Sequence, residues 1–458
     1  MQIDCLSGSP AAVWKVAGQL DTVTAPEFRI ALDRIDCARL TELTLDFEEL
    51  SYISSAGLRE LLILKKRMSG KPLRIQNVRS EVAEVFEITG FSSLLDYTLT
   101  ARSDDYTRMS FKDFLAHKVR FGTQQPILEA EGRSYTWADV ERYSQIIAGD
   151  LQKLGVSRGT HVGICGQNSP NWIFTFYAVQ KLGGIALLLN SSLTPAELIR
   201  FAKVGDITHL CYGELPAMGN EAAFTDRITG ADSPIRTVLS IQRGRFDERL
   251  GEYEQLCGRF VLRVEADDPC AMIFTSGSTG TPKGVLFSAY NIQNSAHACI
   301  SKMNLTPEDR VCQFLPMFHI FGLSVGLIGS GIMDARIIIP EGNRTGTLIR
   351  VIQDRRCTVF HAVPTMLLAI MNHPEFEPAR LSTLRVTMLA GAPVSMTQMR
   401  RFRETFPNDH FLAAYGLSEM APVSATDYTS AFGKRTANAR AKESLSSCPN
   451  LMTPLFMR

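Results

Sequence analysis

Hydrophobic residues follow two patterns along the first hundred positions, and together these patterns predict a mixed α/β domain. Apolar and polar residues alternate over 43–47, as on a strand with one buried face. Apolar residues recur at helical spacing over 58–62 and again over 82–86. Gly70 and Gly90 mark the ends of these two predicted helices. The first hundred residues therefore predict a small, separate α/β domain.

A polar stretch at residues 100–108 is interpreted as a linker, and beyond it strand-like and helix-like segments alternate. The predicted strands are the apolar runs at 161–165, 185–189, 209–212, 270–274, 285–287, 336–339, 358–363 and 385–389. Helix starts are predicted where Pro170 follows Ser169 and at the capping box Thr194–Glu197. This alternation predicts mainly parallel sheets covered by helices, which bind ligands beyond the carboxyl ends of their strands.

Composition and charge narrow the class of protein. A chain of 458 residues predicts two or three domains. Its formal net charge of +1 provides no electrostatic argument that the protein binds nucleic acid or an anionic membrane. The ten cysteines are scattered without a Cys-x-x-Cys pair, which argues against a zinc site and suits a reducing cytoplasm. The N-terminus lacks signal-peptide features, and the apolar run 320–333 is too short to span a bilayer.

The segment 275–284 carries the clearest chemical signal. It reads Thr-Ser-Gly-Ser-Thr-Gly-Thr-Pro-Lys-Gly and lies between two predicted strands. Its glycines allow consecutive N–H groups to turn toward one anion, its hydroxyls add donors, and Lys283 adds a compact positive charge. The pattern lacks the terminal Gly-Lys-Ser/Thr of a Walker A loop. A flexible surface turn is the alternative, but the strand context and ten consecutive residues of this kind favour a phosphate-binding loop.

This segment resembles the phosphate loop of the adenylate-forming superfamily, which includes acyl-CoA synthetases, luciferases and peptide-synthetase adenylation domains. Three further segments match that family in the family's order: Phe-Leu-Pro-Met-Phe-His-Ile-Phe-Gly at 314–322, Leu-Ala-Gly-Ala-Pro at 389–393 and Ala-Tyr-Gly-Leu-Ser-Glu-Met-Ala-Pro at 414–422. The resemblance implies the large domain of that fold, mainly parallel sheets flanked by helices, over residues 109–429.

The resemblance also implies roles for single residues. Tyr415 would flank the adenine ring, Ser418 would contact the α-phosphate, and Glu419 would bind Mg²⁺ with a second oxygen from Thr275. His319 would border an acyl pocket, although a histidine in an apolar segment is otherwise a core residue. The implied nucleotide site comprises Thr275, Ser276, Gly277, Ser278, Thr279, Gly280, Thr281, Lys283, Gly391, Ala392, Pro393, Tyr415, Gly416, Ser418 and Glu419, and the acyl pocket comprises His319, Phe318 and Val363.

These roles imply ATP-dependent activation of a carboxylic acid. Attack of the carboxylate on the α-phosphorus of ATP gives an acyl adenylate and pyrophosphate, and the thiol of coenzyme A or of a carrier-protein pantetheine then displaces AMP. Fixed N–H donors, a lysine and Mg²⁺ would stabilise the charge that develops on the phosphate. Apolar residues such as Phe318, Phe321, Val363 and Met366 indicate a fatty or aromatic acid, or simply belong to the core.

The first domain has a separate resemblance. Gly-Gln-Leu-Asp at 18–21, Leu-Asp at 45–46, Ile-Ser-Ser-Ala-Gly-Leu-Arg at 53–59 and Phe-Glu-Ile-Thr-Gly-Phe at 86–91 resemble the STAS domain of bacterial anti-sigma-factor antagonists, over nearly all of residues 1–99. In that family a partner kinase phosphorylates a serine at this turn, which breaks a protein–protein contact. The matching residue is Ser55, and a kinase or an anti-sigma-like protein is the implied partner. The alternative is that Ser54 or Ser55 only caps a helix.

The adenylate-forming family continues past the last matching motif with a Thr-Gly-Asp segment, a hinge and a small domain that carries a catalytic lysine. The 458 residues contain none of these, and residues 430–458 lack periodicity, which predicts an aberrant or disordered tail. We interpret this as a frameshift or premature stop shortly after Tyr428 and expect impaired adenylation. The alternative is a non-catalytic regulator, in which the STAS domain binds a partner and the remnant senses nucleotide or acyl ligand.

Overall fold

The chain divides into two compact units, Met1–Asp105 and Tyr106–Arg458. A computed structural model describes residues 2–7, 11–37, 39–68, 70–79, 82–83, 85–86, 89–91, 94–99, 108–256, 259–260, 262–275, 282–406, 410–418, 421–426 and 455–456. The predicted loop residues 276–281, the predicted metal ligand Glu419, most of the predicted linker and most of the predicted tail 430–458 lie outside these ranges.

One five-stranded sheet forms the centre of the first unit. Its strands lie in the order β1-β2-β3-β4-β5, and all neighbours are parallel except the antiparallel pair β1–β2. The strands are β1 Gln2–Ser7, β2 Ala11–Leu20, β3 Glu42–Ile53, β4 Leu73–Val78 and β5 Asp96–Leu99, and the helices are α1 Ala25–Asp33 and α2 Ser55–Arg67. Leu43, Leu45 and Phe47 are fully buried on β3, which confirms the predicted strand, although Asp46 on its other face is also buried, at 8% exposure.

A seven-stranded sheet forms one layer of the second unit. Its order is β11-β10-β8-β9-β12-β13-β20, and the neighbours from β11 to β12 are parallel, whereas β13 is antiparallel to both β12 and β20. Its strands are β8 His161–Cys165, β9 Ile185–Leu189, β10 His209–Tyr212, β11 Thr237–Ser240, β12 Pro269–Thr275, β13 Lys283–Ser288 and β20 Leu455–Phe456. The strands predicted at 161–165, 185–189 and 209–212 are confirmed.

An eight-stranded sheet carries the segments that form the site. Its order is β19-β18-β17-β16-β14-β15-β6-β7, with parallel neighbours from β18 to β6 and an antiparallel strand at each edge. Its strands are β6 Leu128–Ala130, β7 Arg133–Tyr135, β14 Arg310–Cys312, β15 Arg336–Ile338, β16 Val359–Ala362, β17 Val386–Leu389, β18 His410–Leu417 and β19 Ala421–Ala425. The predicted mainly parallel α/β architecture is therefore confirmed.

Helices connect the strands of the second unit. They are α3 Phe111–Phe121, α4 Trp137–Lys153, α5 Pro170–Lys181, α6 Pro195–Val204, α7 Glu221–Ile228, α8 Tyr253–Leu256, α9 Ala289–Met303, α10 Ser330–Ile332, α11 Thr345–Asp354, α12 Pro364–Met371 and α13 Met396–Thr405. Short 3₁₀ turns occur at Asp247–Glu252 and Pro378–Leu381, and a π-helix spans Phe321–Gly329. Helices and strands together enclose apolar cores on both faces of the eight-stranded sheet.

Side-chain caps begin two helices at the predicted residues. The hydroxyl of Ser169 accepts a hydrogen bond from the Trp172 N–H at 3.2 Å, and Pro170 occupies the first helical position of α5. At α6, the Thr194 hydroxyl accepts from the Glu197 N–H at 3.3 Å, while the Glu197 carboxylate accepts from the Thr194 N–H at 2.8 Å. These reciprocal bonds form the predicted capping box.

The apolar run 320–333 forms the buried π-helix and the short helix α10 that follows it. Two glycines let this segment lie directly on the chain that leaves β14. A Cβ at Gly322 would lie 2.2 Å from the carbonyl oxygen of Pro316, and one at Gly326 would lie 2.1 Å from Oε1 of Gln313. Across the described ranges, no helix combines the length and apolar character needed to cross a membrane.

Candidate functional site

A cavity of about 510 Å³ opens at the carboxyl ends of β16, β17 and β18. Because these strands are parallel neighbours, the residues that follow them meet at one edge of the sheet. The turn before the π-helix and the first two residues of that helix also line the cavity. The lining residues are Leu315, Pro316, His319, Ile320, Phe321, Gly322, Val363, Met366, Ala390, Gly391, Ala414, Tyr415, Gly416, Leu417 and Ser418.

This cavity brings together residues from sequence motifs that lie almost a hundred positions apart. His319 and Val363, predicted for an acyl pocket, share the cavity with Tyr415, Gly416 and Ser418, predicted for a nucleotide site. Gly391, Phe321 and Met366 line it as well. Ala392 and Pro393 are exposed and are not among the lining residues. The cavity is therefore shared by the predicted acyl pocket and part of the predicted nucleotide site.

Phe318 lines a second, more polar cavity of about 170 Å³, although the centroid of its ring lies only 5.1 Å from that of His319. Pro316 lines both cavities, so the two are adjacent. The Asn168 side chain holds the intervening turn, because its amide donates to the Leu315 carbonyl at 2.8 Å and its oxygen accepts from the Met317 N–H at 2.9 Å. This turn directs the two consecutive aromatic side chains Phe318 and His319 into different spaces.

His319 is exposed at the rim of the larger cavity and is not the core histidine that its apolar neighbours suggested. Its backbone N–H donates to the Pro316 carbonyl at 3.1 Å, and its carbonyl accepts from the Leu323 N–H at 2.9 Å. Although much of the residue is exposed at the rim, protein atoms packed around the imidazole displace part of its water, and this desolvation lowers the pKa of the ring below 6.5. The ring is therefore predominantly neutral at pH 7 and can donate or accept a hydrogen bond.

The sheet side of the cavity is lined by small residues. Ala390, Gly391, Ala414 and Gly416 contribute little side-chain volume there. Gly391 has a φ of +80°, a conformation that L side chains rarely adopt, and a Cβ at this position would lie 3.1 Å from Cγ1 of Val363. Glycine at position 391 therefore keeps the chain in a left-handed turn and leaves the cavity open.

Replacing Gly391 with alanine is expected to weaken ATP binding about tenfold, equivalent to about 1.4 kcal/mol, because the added methyl group enters the cavity wall. Gly159→Ala is the matched control. Gly159 has a φ of +76°, and a methyl group added there would have no atom within 4 Å, so this variant carries the same backbone strain away from the site. Titration of ATP into both variants tests the expectation, and equal affinities would contradict it.

The predicted phosphate loop connects two strands of the seven-stranded sheet. Thr275 ends β12 and Lys283 begins β13, and these two residues are paired in the antiparallel ladder. The ladder confirms the predicted strands on both sides of the loop. Thr275 is half-buried, Lys283 is exposed, and neither lines the 510 Å³ cavity. Residues 276–281 between them lie outside the described part of the chain.

The predicted serine turn of the first unit lies between β3 and α2. Ser54 occupies the N-cap position, as the alternative prediction has it, but its side chain makes no cap hydrogen bond. Its hydroxyl is buried and has no partner among the described residues. Ser55 is the first residue of α2 and is exposed. Val23 and Tyr52, which are 78% and 47% exposed, lie on neighbouring segments because β2 and β3 are parallel and paired.

Several cavity residues were not among the predicted site residues. They are Leu315, Pro316, Ile320, Gly322, Ala390, Ala414 and Leu417. All of them fall inside the sequence motifs 314–322, 389–393 and 414–422, so the signal that identified the motifs could also have found these residues. What the motifs do not indicate is which of their side chains or backbone groups face the cavity.

Comparison with known proteins identifies both units. A family model described as AMP-binding enzyme matches residues 115–448, and a STAS domain model matches residues 7–105. Acyl-CoA ligase sidI of Aspergillus fumigatus is 29% identical over 312 residues, which cover 64% of this chain and 52% of that protein. 4-Coumarate–CoA ligase 1 of Solanum tuberosum is 28% identical over 304 residues, which cover 64% and 54%. The chain thus spans about half the length of these curated relatives.

Solved structures show the same fold. The anthranilate CoA ligase AuaEII in complex with anthranoyl-AMP superimposes with a TM-score of 0.63 at 20% identity, covering 72% of this chain and 64% of that chain. The N-terminal domain of FACL13 from Mycobacterium tuberculosis gives a TM-score of 0.60 at 22% identity, covering 68% and 77%. From the family match over most of its length, together with the cavity that its motifs form, the chain belongs to the AMP-binding enzymes and carries a STAS domain in its first unit.

Proposed function

We propose that the second unit activates a carboxylic acid with ATP to give an acyl adenylate, from which a thiol then takes the acyl group. One observation carries this proposal: residues implied for the acyl group and for the nucleotide line the same cavity. Proximity of the two reactants is what the first step needs, because it converts a bimolecular reaction into an effectively unimolecular one. Membership of the AMP-binding family supports the same chemistry.

The residues that line the cavity and the nearby loop suit the adenine ring and the phosphates of ATP. Tyr415 is 39% exposed, and its aromatic face offers a surface on which a purine stacks. The Ser418 hydroxyl can donate to an oxygen of the α-phosphate. Lys283 and the N–H groups of the loop 275–284 would hold the outer phosphates and stabilise their charge as pyrophosphate leaves.

The donor set proposed for Mg²⁺ consists of the Thr275 hydroxyl and the Glu419 carboxylate. Both are hard oxygen donors, and Thr275 stands at the end of β12 beside the loop that would carry the phosphates. Mg²⁺ usually binds through one or two protein oxygens together with substrate phosphates and water, so this sparse set fits the ion. When bound, Mg²⁺ would neutralise negative charge on the phosphate oxygens.

A fatty or aromatic acid fits the cavity best. Ile320, Phe321, Val363 and Met366 give its acyl side an apolar surface. The volume of about 510 Å³ falls within the range of ligand pockets, about 300–1,000 Å³, and it must hold part of the adenosine as well. We therefore propose an acid with a short or medium chain or a single ring. Coenzyme A or a carrier-protein pantetheine is the proposed acceptor thiol.

ATP–pyrophosphate exchange with a panel of carboxylic acids tests the proposed function. Acid-dependent exchange is expected, strongest for fatty or aromatic acids of moderate size. ATP binding without exchange for any acid would contradict the enzymatic proposal and favour the alternative of a regulator that senses nucleotide. Addition of coenzyme A or a carrier protein to an exchanging sample then identifies the acceptor by the thioester that forms.

For the STAS unit we propose a protein partner that binds near the start of α2. The exposed apolar side chains of Val23 and Tyr52 lie at the same sheet edge as Ser55, and a phosphate on Ser55 would add charge and bulk to a contact there. The position at a helix N-terminus accommodates a phosphate well. Phosphopeptide mass spectrometry of the chain isolated from its own cells tests this proposal, and a phosphate on Ser55 is the expected result. Phosphate found only on other residues would contradict the proposed modification of Ser55.

A further inference from the structure

Three arginine side chains converge on one carboxylate at the amino ends of β14 and β15. Nη1 of Arg336 lies 2.8 Å from Oε1 of Glu129, and Nη2 of Arg310 lies 3.4 Å from Oε2. Nη1 of Arg355, which directly follows α11, lies 4.0 Å from the same Oε2. Across the described residues, no other carboxylate lies within 4.0 Å of these three guanidinium groups. These four residues, called the Glu129 cluster below, therefore carry an excess of two positive charges, three against one.

The register of the eight-stranded sheet brings these charges together. Arg310 and Arg336 are the first residues of β14 and β15, and they are paired in the parallel ladder. Glu129 of β6 is paired with Ile338, which lies two positions after Arg336 and therefore on the same face of the sheet. Like charges side by side on neighbouring strands destabilise a sheet. The single carboxylate compensates only part of this repulsion.

Two of the guanidinium groups are held in place while some of their donors remain unused. Nε of Arg310 donates to the Arg355 carbonyl at 2.5 Å, and Nε of Arg336 donates to the Pro126 carbonyl at 3.2 Å. Nη1 of Arg310 and Nη2 of Arg336 make no hydrogen bond to any residue that the structure describes. The side chains of Arg310, Arg336 and Arg355 are 25%, 30% and 53% exposed, so solvent reaches them. The cluster thus presents fixed donors and excess positive charge to the solvent.

We propose that the Glu129 cluster binds a phosphoryl group, carried either by free phosphate or by a small phosphate ester. A phosphoryl group has about two negative charges near pH 7, which matches the excess charge of the cluster. Its oxygens accept hydrogen bonds from guanidinium groups in pairs, whereas one carboxylate ligand would leave a positive charge unbalanced. Glu129 positions the guanidinium groups from their inner side.

This site is separate from the cavity proposed for adenylation. The Glu129 cluster lies at the amino ends of β14 and β15, and the cavity lies at the carboxyl ends of β16, β17 and β18, which run parallel to them. A phosphoryl group at the cluster therefore leaves the cavity free. The inference does not rest on the proposed function.

Titrations of inorganic phosphate and of glycerol 3-phosphate into the full chain test the inference. Binding is followed by ³¹P nuclear magnetic resonance, with sodium chloride keeping the ionic strength constant. Saturable binding of at least one of them is expected, with a dissociation constant of about 1 mM. Tighter binding of the ester would support a phosphorylated metabolite as the ligand, and tighter binding of inorganic phosphate would support the free ion. No saturable binding of either, at concentrations about twentyfold above the expected dissociation constant, would overturn the inference.

Variants assign the binding to the cluster. Arg336→Gln is expected to weaken phosphate binding about tenfold, because it removes one charge and two or more donors. Arg355→Gln should have a similar effect, and it decides the matter if Arg336→Gln does not fold, because Arg355 lies outside the strands and is the most exposed of the three. Arg350→Gln is the matched control: it removes one charge from α11, where Arg350 is paired with Glu375 at 2.6 Å, and should retain the affinity. Unchanged affinity in both cluster variants would overturn the inference.

The loop proposed to hold the phosphates of ATP is a second place where inorganic phosphate could bind. Lys283→Ala separates the two sites. Phosphate binding that persists in Lys283→Ala and weakens in Arg336→Gln assigns the phosphate to the cluster. Binding that is lost in Lys283→Ala and unchanged in Arg336→Gln would place the phosphate at the loop and overturn the inference. Failure of ATP–pyrophosphate exchange, in turn, refutes the proposed function without affecting the result at the cluster.

Discussion

Replacing Lys283 with alanine is expected to lower ATP–pyrophosphate exchange by about a hundred- to a thousandfold, the usual cost of losing a charge-stabilising donor. Lys283 is exposed at the start of β13 and is paired across the ladder with Thr275, which places both residues at the base of the loop 275–284. As pyrophosphate separates from the α-phosphorus, negative charge increases on the outer phosphates. A compact positive charge beside them stabilises this charge more in the transition state than in the ground state.

Lys203→Ala is the control for this prediction, because Lys203 is an exposed lysine on α6 outside the candidate site. The control should exchange pyrophosphate at the rate of the unaltered chain. ATP affinity is measured alongside, since a loss in exchange that exceeds the loss in affinity indicates a role in the transition state. Exchange in Lys283→Ala within a few fold of the unaltered chain would show that the loop does not hold the phosphates as proposed.

Replacing Asp309 with alanine is expected to destabilise the second unit by about 3 kcal/mol and to lower its melting temperature by about 6 °C. Asp309 is 3% exposed and lies just before β14. Its carboxylate accepts from the Arg385 guanidinium, with Nε at 2.8 Å from Oδ1, and from the Thr358 hydroxyl at 2.7 Å. The Thr306 N–H donates to the other oxygen at 2.8 Å.

This cluster connects the amino ends of three adjacent parallel strands, since Thr358 precedes β16 and Arg385 precedes β17. Removal of the carboxylate leaves the guanidinium of Arg385 without its main partner in a partly buried place. Scanning calorimetry measures the effect. Asp267→Ala, at an exposed aspartate, is the control and should leave the transition unchanged. An unchanged melting temperature for Asp309→Ala would contradict the assignment of the cluster as a stabilising one.

The same carboxylate gives a pH dependence of defined sign. Burial alone would raise the pKa of Asp309, but the hydrogen bonds from Arg385 and Thr358 outweigh it and hold the pKa below 3.8. A pKa that is lower in the folded than in the unfolded state adds stability above the unfolded value, and this stability is lost as the pH falls through the folded value. The destabilisation caused by Asp309→Ala should therefore shrink when unfolding is measured below about pH 4.

The sequence predicted the secondary structure of this protein well wherever local chemistry decides it. Short apolar runs became the strands at 161–165, 185–189 and 209–212, because a strand buried on both faces needs only consecutive apolar side chains. The capping box at Thr194 formed because its bonds join residues three positions apart. At Ser54 the local pattern indicated the N-cap position but not the bond, because the hydroxyl is buried and makes no cap hydrogen bond.

The motifs likewise indicated the region of the site but not its geometry. Phe318 and His319 are neighbours in the sequence, yet the turn held by Asn168 directs them into two cavities. The stabilising role of Asp309 could not be predicted from the sequence, because its partners Thr358 and Arg385 are 49 and 76 positions away. His361 is one residue of an apolar strand in the sequence, and only the pairing of β16 with β17 places it in the layer beneath the cavity.

By itself, the sequence determined the two-domain α/β composition, the alternation of many of the strands and helices, and the family motifs, because each of these depends on residues close together in the chain. Only the tertiary structure decided that the carboxyl ends of β16, β17 and β18 enclose one cavity with the π-helix. The physical reason is that strand order and register set which distant side chains meet. Parallel pairing places Val363, Ala390 and Ala414 in one layer and His361 in the layer below, which no local pattern specifies.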